Sequence, residues 1–584
     1  MSSADKLVFD LSSEVDAPAS VFVRRDWLSI LDNQNGSYTS NQCVVDTSQL
    51  SNSNKYISYR EGSLQIPMLL TITTPVSAGA TFSPATSSGD YCLGLRNWFG
   101  TIIHSISVEY NGTTVVQQTP FINMWSAFRL MTSLSWDDVV TQGSTIGFYP
   151  DDPLSWGYTT ASATSGQGTC NNLNLAGNTF SSAVLKNAYN GGLANVGFRR
   201  RQSFINYDAA GISLVAAASN AAYSTLLNAE SAKLMYKSYV LTAIDAAAAA
   251  PGVFQLAVSA TVYLKHLHPF FASLPLLKGA YLKLTMALNN TTTVGTKTGG
   301  AVMTVASVSN AVGGTNPLMI AAISAGNGSA LLNETAGALL NWTASVCVGS
   351  KIVESSQSVL GVAAGAVGTG VTLNVPSYTF NPIFEQAYLS SPIKPVIYDD
   401  VYSYQVLNIA AQGQINSLIT NGIANIKSIL VIPYFSSSGA STGVGAGGNI
   451  PVYLSPFDDA GGGTTSPLCH LNNFNIVVSG QNALYNTQRY MYEEFNQQLL
   501  GQAGQTNGGQ TDGLTSGLID RLGFDSKQCF YYVDLSRMLS AEQSVPKSIQ
   551  LVGQNMSVHA VDYFCFVTYS VSSLSVDILS GTRV

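Results

Sequence analysis

The sequence predicts an all-β protein built from two consecutive β-sandwiches, and three observations carry that expectation. Short segments rich in Val, Ile, Thr, Tyr and Phe, cut by Gly, Asn, Ser and Pro, dominate the chain. Helical patterns are few. Three strand-bearing patterns also recur in the same order in the two halves. At 584 residues the chain exceeds one core, and its length alone suggests roughly two to four domains.

The clearest strand segments, in chain order, are Leu64–Thr73, Ser105–Gln117, Leu277–Leu288, Lys427–Phe435 and Val558–Leu574. The second contains Asn111-Gly112, the strongest short hairpin signal, because both turn residues must adopt positive φ. Helices are expected at Phe121–Leu134 and Thr487–Leu500, with short turns near His266–Phe271 and Leu535–Leu539. Many short strands with few helices favour sandwiches over a parallel α/β sheet.

The repeat is read as follows. Ser105–Phe128 (SISVEYNGTTVVQQTPFINMWSAF) matches Asn473–Phe495 (NFNIVVSGQNALYNTQRYMYEEF): strand, polar turn, strand, aromatic helix. Upstream, IPMLLTITTP from Ile66 matches SILVIPYF from Ser428. Downstream, Tyr263–Leu267, Pro275, Lys278 and Leu282–Leu284 match Tyr532–Leu535, Pro546, Lys547 and Ile549–Leu551. The first two pairs lie roughly 365 residues apart and the third about 270, so the first half carries about 100 extra residues. That excess falls in Trp136–Ile244, rich in Gly, Ser, Asn and Ala, as expected of a surface loop insertion. A smaller counterpart is Gly501–Gly517. No strands are assigned in 298–349, where small residues dominate.

Composition narrows the function. Only 10% of residues are charged, against roughly 25% in ordinary soluble domains, and mean hydropathy is slightly positive. Such a chain either sits in a membrane or hides surface against other chains. The best uncharged stretch, Ala246–Leu264, contains Pro251, Gly252, Gln255, Ser259 and Thr261, unlike the roughly 20 apolar residues of a spanning helix. No transmembrane segment is expected, nor a secretory signal in MSSADKLVFD. Seven scattered cysteines without a C-x-x-C pair read as buried free thiols. The net charge of −7, with 26 Lys and Arg, disfavours direct nucleic-acid binding. Arg199-Arg200-Arg201 reads as a solvated loop or a subunit contact.

Motifs of catalysis fail on context. Gly443–Gly448 matches G-x-G-x-x-G, but Asn449–Leu454 reads as a strand where a dinucleotide site needs a helix. Ser441 lies in G-x-S-x-G without strand–turn–helix surroundings. The acidic doublets Asp137-Asp138, Asp151-Asp152, Asp399-Asp400, Asp458-Asp459 and Glu493-Glu494 read as caps, turns and surface charge, since neighbours on a strand face opposite ways; for Asp137 and Asp138 the alternative is the cap of a short helical turn. His266, His268 and Cys469-His470 lack the partners of a metal centre. No catalytic, cofactor-binding or metal-binding residues are expected, and the chain is not expected to be an enzyme.

An ordered set of segments resembles the major capsid proteins of the double-jelly-roll lineage that joins bacteriophages and adenoviruses, most nearly those of Polinton-like viruses, adintoviruses and virophages. The set comprises Asn97–Asn111, Pro120–Trp125, Gly147–Asp151, Tyr263–Leu288, Val375–Tyr378, Tyr388–Pro392 and Ile397–Val401, and it spans about residues 26–584. The resemblance implies two consecutive eight-stranded jelly rolls with short helices and long loop insertions. It divides the chain into an arm at 1–27, a first jelly roll at 28–388 with the insertion at 136–244, and a second at 389–584. It further implies homotrimeric, pseudo-hexagonal capsomers in the icosahedral shell of a double-stranded DNA virus. Partners would be further copies, neighbouring capsomers, and penton and minor capsid proteins. The rival expectation is a glycan-binding or glycan-cleaving β-sandwich, because jelly rolls serve those roles too.

Overall fold

Sixteen strands form two sandwiches of identical plan. The first uses β1 (Phe22–Leu31), β2 (Gln42–Asp46), β3 (Ser63–Thr73), β4 (Ile103–Tyr110), β5 (Thr113–Val116), β6 (Val253–Tyr263), β7 (Leu282–Leu288) and β8 (Thr372–Phe380). The second uses β9 (Ile393–Ile409), β10 (Gln414–Ile423), β11 (Ile426–Phe435), β12 (Leu471–Val478), β13 (Gln481–Asn482), β14 (Tyr531–Asp534), β15 (Lys547–Asn555) and β16 (Val561–Asp577). One sheet of the first sandwich runs β1-β8-β3-β6 and the other β2-β7-β4-β5. In the second the orders are β9-β16-β11-β14 and β10-β15-β12-β13. Adding eight to each strand number converts one pattern into the other, all pairs are antiparallel, and each set is a jelly roll.

This computed structural model describes residues 20–50, 54–73, 92–95, 98–148, 157–159, 169–171, 239–242, 253–297, 304–321, 340–349, 370–435, 471–485, 490–503, 517–521, 524, 530–536, 544–556 and 560–583. The segments 443–448, 199–201, 151–152, 458–459 and 469–470 lie outside them.

Local chemistry explains the plan. β7 (LKLTMAL) and β15 (KSIQLVGQN) alternate buried apolar with half-buried polar residues, the period of a strand with one face on a core. The β4–β5 hairpin turns at Asn111 and Gly112, with φ of 48° and 77°. The β12–β13 hairpin turns at Ser479 and Gly480, with φ of 50° and 84°, so the repeat extends to a turn that favours glycine.

Among the described residues six α-helices support the sheets: α1 (Ile122–Ser133), α2 (Trp136–Ile146), α3 (Leu264–Leu267), α4 (Pro269–Ser273), α5 (Pro382–Leu389) and α6 (Tyr492–Ala503). Two depart from expectation. The segment read as loop from Trp136 begins with α2, held by a capping box in which the Ser135 side chain and the Asp138 backbone and carboxylate bond reciprocally. α6 begins five residues later than Thr487, where the Glu494 carboxylate accepts from the Met491 amide. The region without assigned strands contains Thr304–Asn310, Leu318–Ala321 and Leu340–Val348. Leu340–Val348 pairs with β3 and, through Thr291–Lys297, widens the first sheet. The Ser, Thr and Gly content of 298–349 as a whole masks that signal, because pairing partners rather than intrinsic propensity hold these strands. β1 starts at Phe22, so the arm expected at 1–27 overlaps a paired strand.

Candidate functional site

The two sandwiches meet along a buried seam, and α1 is its central element. Ten of the twelve residues of α1 are buried, from both halves. The Phe128 ring lies 5.2 Å from Phe530, 5.9 Å from Tyr532 and 6.4 Å from Phe495, all of the second sandwich. Phe121, just before the helix, sits 4.9 Å from Phe564 on β16. Tyr398 of β9 packs edge-on against Phe270 of α4 at 5.1 Å, and its hydroxyl donates to the Val115 carbonyl. Thr119 donates to the Val401 carbonyl at 2.9 Å. The C-terminal segment closes the seam: the Ile578 carbonyl accepts from the Lys278 amide, and the Gly581 carbonyl accepts from Tyr110 and Asn111. Apolar burial with paired backbone groups is how a permanent interface is built.

A small polar centre lies inside this seam. His268 Nε2 stands 3.3 Å from Asp400 Oδ1, while Asp400 Oδ2 accepts from Tyr569 at 3.1 Å. His268 Nδ1 accepts from the Phe270 amide at 3.2 Å, so Nε2 carries the proton and the ring is neutral. Burial pushes the His268 pKa down, and the bond to Asp400 opposes it without reversing it. Burial likewise raises Tyr569, with Asp400 adding to the shift. Both imidazole nitrogens are thus engaged in a site closed to solvent, and neither is free to activate a nucleophile. Arg129 lies nearby on α1, 4.7 Å over the Trp125 ring; burial lowers its pKa to about 10, and its Nη1 has no hydrogen-bond partner among the described residues.

The remaining residues singled out in the sequence fall apart in space. Asp399 points away from Asp400 and pairs with Lys427 at 2.7 Å. Asp137 and Asp138 lie in the first turn of α2, and Glu493 and Glu494 in that of α6, where negative charge complements the positive end of the helix dipole. His266 packs on Tyr263, with its pKa lowered to about 4 by burial. Among the described residues no three His, Cys, Asp or Glu side chains converge on a common point. Cys43 and Cys565 are free and buried; burial pushes the Cys43 thiol up to about 12 and raises Cys565, so both stay protonated. No described helix is long and apolar enough to cross a membrane.

The feature that sequence reading missed is apolar surface at the sandwich edges. β1 and β9 each pair on one side, among the described residues, with β8 and β16 respectively. On β1, Val23, Trp27 and Leu31 are exposed; on β9, Ile393, Ile397, Tyr402, Tyr404 and Leu407 are. Natural edge strands usually carry charge or are covered. Alternation in VFVRRDWLSIL was the available signal, but a single chain does not say which face meets solvent.

No protein-family model matches the chain, and no curated protein matches it. Among solved structures it is similar to a chain of the Sputnik virophage (11% identity, TM-score 0.47, covering 98% of this chain and 90% of that one). It is also similar to the mavirus major capsid protein (10%, TM-score 0.41, 100% and 94%) and the Faustovirus major capsid protein (8%, TM-score 0.40, 98% and 94%).

Proposed function

We propose that the chain is the major capsid protein of a double-stranded DNA virus, a shell subunit that assembles with its own copies into pseudo-hexagonal homotrimers and resides in the virion. One observation carries the reading. Two jelly rolls of the same strand order are fused side by side by a buried seam, and long edge strands leave further apolar side chains uncovered. A solitary solvated protein gains nothing from such edges, whereas a lattice subunit buries them. The low charge of the sequence agrees. In this reading the chain divides into an arm that ends before β1 at Phe22, a first jelly roll that runs to about residue 388 and a second at 389–584. The insertion at 136–244 leaves the first sandwich between β5 and β6 and faces outward. Penton and minor capsid proteins complete the shell, and the genome is not bound directly.

The glycan-binding or glycan-cleaving alternative needs a convergent carboxylate pair in a cleft. The buried carboxylate at the seam, Asp400, is tied to His268 and Tyr569 instead. Light scattering and negative-stain microscopy of the purified chain test the proposal. The expected species has three times the 61.6 kDa chain mass and a pseudo-hexagonal outline. Dispersed monomers that retain an oligosaccharide would overturn it. Deleting the middle of 136–244 should leave trimers intact; loss of all folded protein would refute the outward placement.

A further inference from the structure

His268 makes two hydrogen bonds, and they belong to different bodies. It is the N-cap of α4, where Nδ1 accepts from the Phe270 amide at 3.2 Å and so fixes the first turn of a helix of the first sandwich. Its Nε2 reaches across the seam to Asp400 on β9 at 3.3 Å. The residue has no solvent exposure. A Ser, Thr or Asn cap stays an acceptor at every pH, but an imidazole does not: once protonated, both of its nitrogens are donors. Uptake of a proton at Nδ1 therefore sets one N–H against the Phe270 N–H and abolishes the cap.

The helix held by this cap is part of the joint. Phe270 packs edge-on against Tyr398 of β9 at 5.1 Å, and the His268 ring lies 6.2 Å from Tyr398 and 6.0 Å from Trp125 of α1. Immediately before the cap, Ser126 of α1 donates to the Leu267 carbonyl at 2.9 Å. α1 and α4 thus meet at Leu267-His268, and a shift of that dipeptide disturbs both.

The surroundings give a protonated ring little in return. Asp400 already accepts from the Val401 amide at 2.8 Å through Oδ1 and from Tyr569 of β16 at 3.1 Å through Oδ2, and the neutral ring already donates to it. Protonation adds charge to that contact but no new bond, and one bond is lost. Asp399, the other acid of β9, is engaged by Lys427 of β11 at 2.7 Å. On the side of the first sandwich stand Arg129 on α1 and, in the turn just before His268, Lys265 and His266 of α3. A further positive charge is opposed by all three.

We propose that His268 is an acid-operated latch between the two jelly rolls. Closed, the neutral ring caps α4 and holds Asp400; opened by a proton at Nδ1, it releases α4 from Tyr398, and the sandwiches separate while each core is still folded. The joint yields first because the backbone pairing within each sheet has no group that titrates in this range. Burial holds the ring neutral below the ordinary imidazole range, and the Asp400 bond opposes this without reversing it. The stabilising effect is complete above pH 6.5 and is withdrawn as the pH falls through the lower folded value. The latch belongs to the seam inside one chain and does not depend on the shell reading.

Calorimetry and hydrogen exchange of the whole chain at pH 7.5 and 4.5 decide it. The parent should melt in one transition at pH 7.5 and in two at pH 4.5. At the lower pH, amide exchange in residues 264–274, corrected for the intrinsic effect of pH, should rise by about tenfold or more while β7 and β11 stay protected. His268→Asn keeps an acceptor for the Phe270 amide but cannot take the proton, so it should melt in one transition at both values. His104→Asn removes another buried imidazole, whose Nδ1 has no partner among the described residues, and should still split at pH 4.5. A parent that keeps one transition at pH 4.5, or a split that persists in His268→Asn, would overturn the latch. If His268→Asn does not fold at pH 7.5, exchange in the parent decides alone: protection of 264–274 that is lost no earlier than that of β7 would overturn it.

Discussion

Replacing Phe128 by alanine tests whether the two sandwiches behave as one body. The side chain is 3% exposed and its ring meets Phe495, Phe530 and Tyr532 across the seam, so the truncation empties a site lined by both halves. Burial of that kind is worth about 3–5 kcal/mol, with the aromatic contacts placing it toward the upper end. Unfolding entropy near 60 °C is about 2.1 cal/mol/K per residue, or about 1.2 kcal/mol/K for a chain of this length. If the chain melts as a single unit, a loss of about 4 kcal/mol lowers the midpoint by about 3 °C. The seam reading predicts more than a shift, because weakening the link between two independent cores lets them melt separately. Differential scanning calorimetry should therefore resolve two transitions in Phe128→Ala where the parent gives one. A single transition displaced by less than about 1 °C would show that α1 does not couple the halves, and the reasoning would fail.

Acidity should weaken the fold. His104 is buried, and burial lowers its pKa from 6.5 to about 4. Between those values the unfolded chain binds a proton that the folded chain refuses, so stability is complete above pH 6.5 and falls as the pH drops toward 4. The loss is about 2 kcal/mol at pH 5 for this group, and His266 and His268 act in the same direction. Urea titrations at pH 7.5 and 5 should show a decline that His104→Asn reduces; a flat response would contradict the burial argument. Arg129→Met should stabilise the chain by about 1–3 kcal/mol in the same assay, since it removes a buried cation that lacks a full set of partners. The lost contact with Trp125 offsets part of the gain. Destabilisation by more than about 1 kcal/mol would mean that the guanidinium is anchored.

What the sequence made legible follows from where information is local. The Asn111-Gly112 turn and the alternation of β7 are set within a few residues, and the three matched patterns lie on corresponding strands of the two sandwiches. The aromatic helix is legible as a packed helix, but which sandwich covers it is not: Phe128 faces the second one. No pattern within Phe121–Leu134 distinguishes those outcomes, because burial looks the same whichever body supplies the cover. His268 and Asp400 stand 132 residues apart, and no spacing rule joins them. The one local hint was a carboxylate at Asp400 inside an apolar strand, which demands a buried partner. α2 is legible only as a short turn capped at Asp137-Asp138, because its polar residues also suit loops, although Ser135 and Asp138 stand at capping-box spacing.

The distribution of apolar surface explains the composition better than core size does. A sandwich of eight strands already has its interior filled, so a chain with ample charge elsewhere could fold equally well. Here apolar residues fill the seam as well as the two interiors, and others are exposed along β1 and β9. Tyr398 and Trp27 occupy the same place in the two jelly rolls, and the first is satisfied within the chain while the second is not. Covering within the chain thus accounts for the first of these two faces and leaves the second as exposed apolar surface, which charge would have dispersed had the edge been built to meet water.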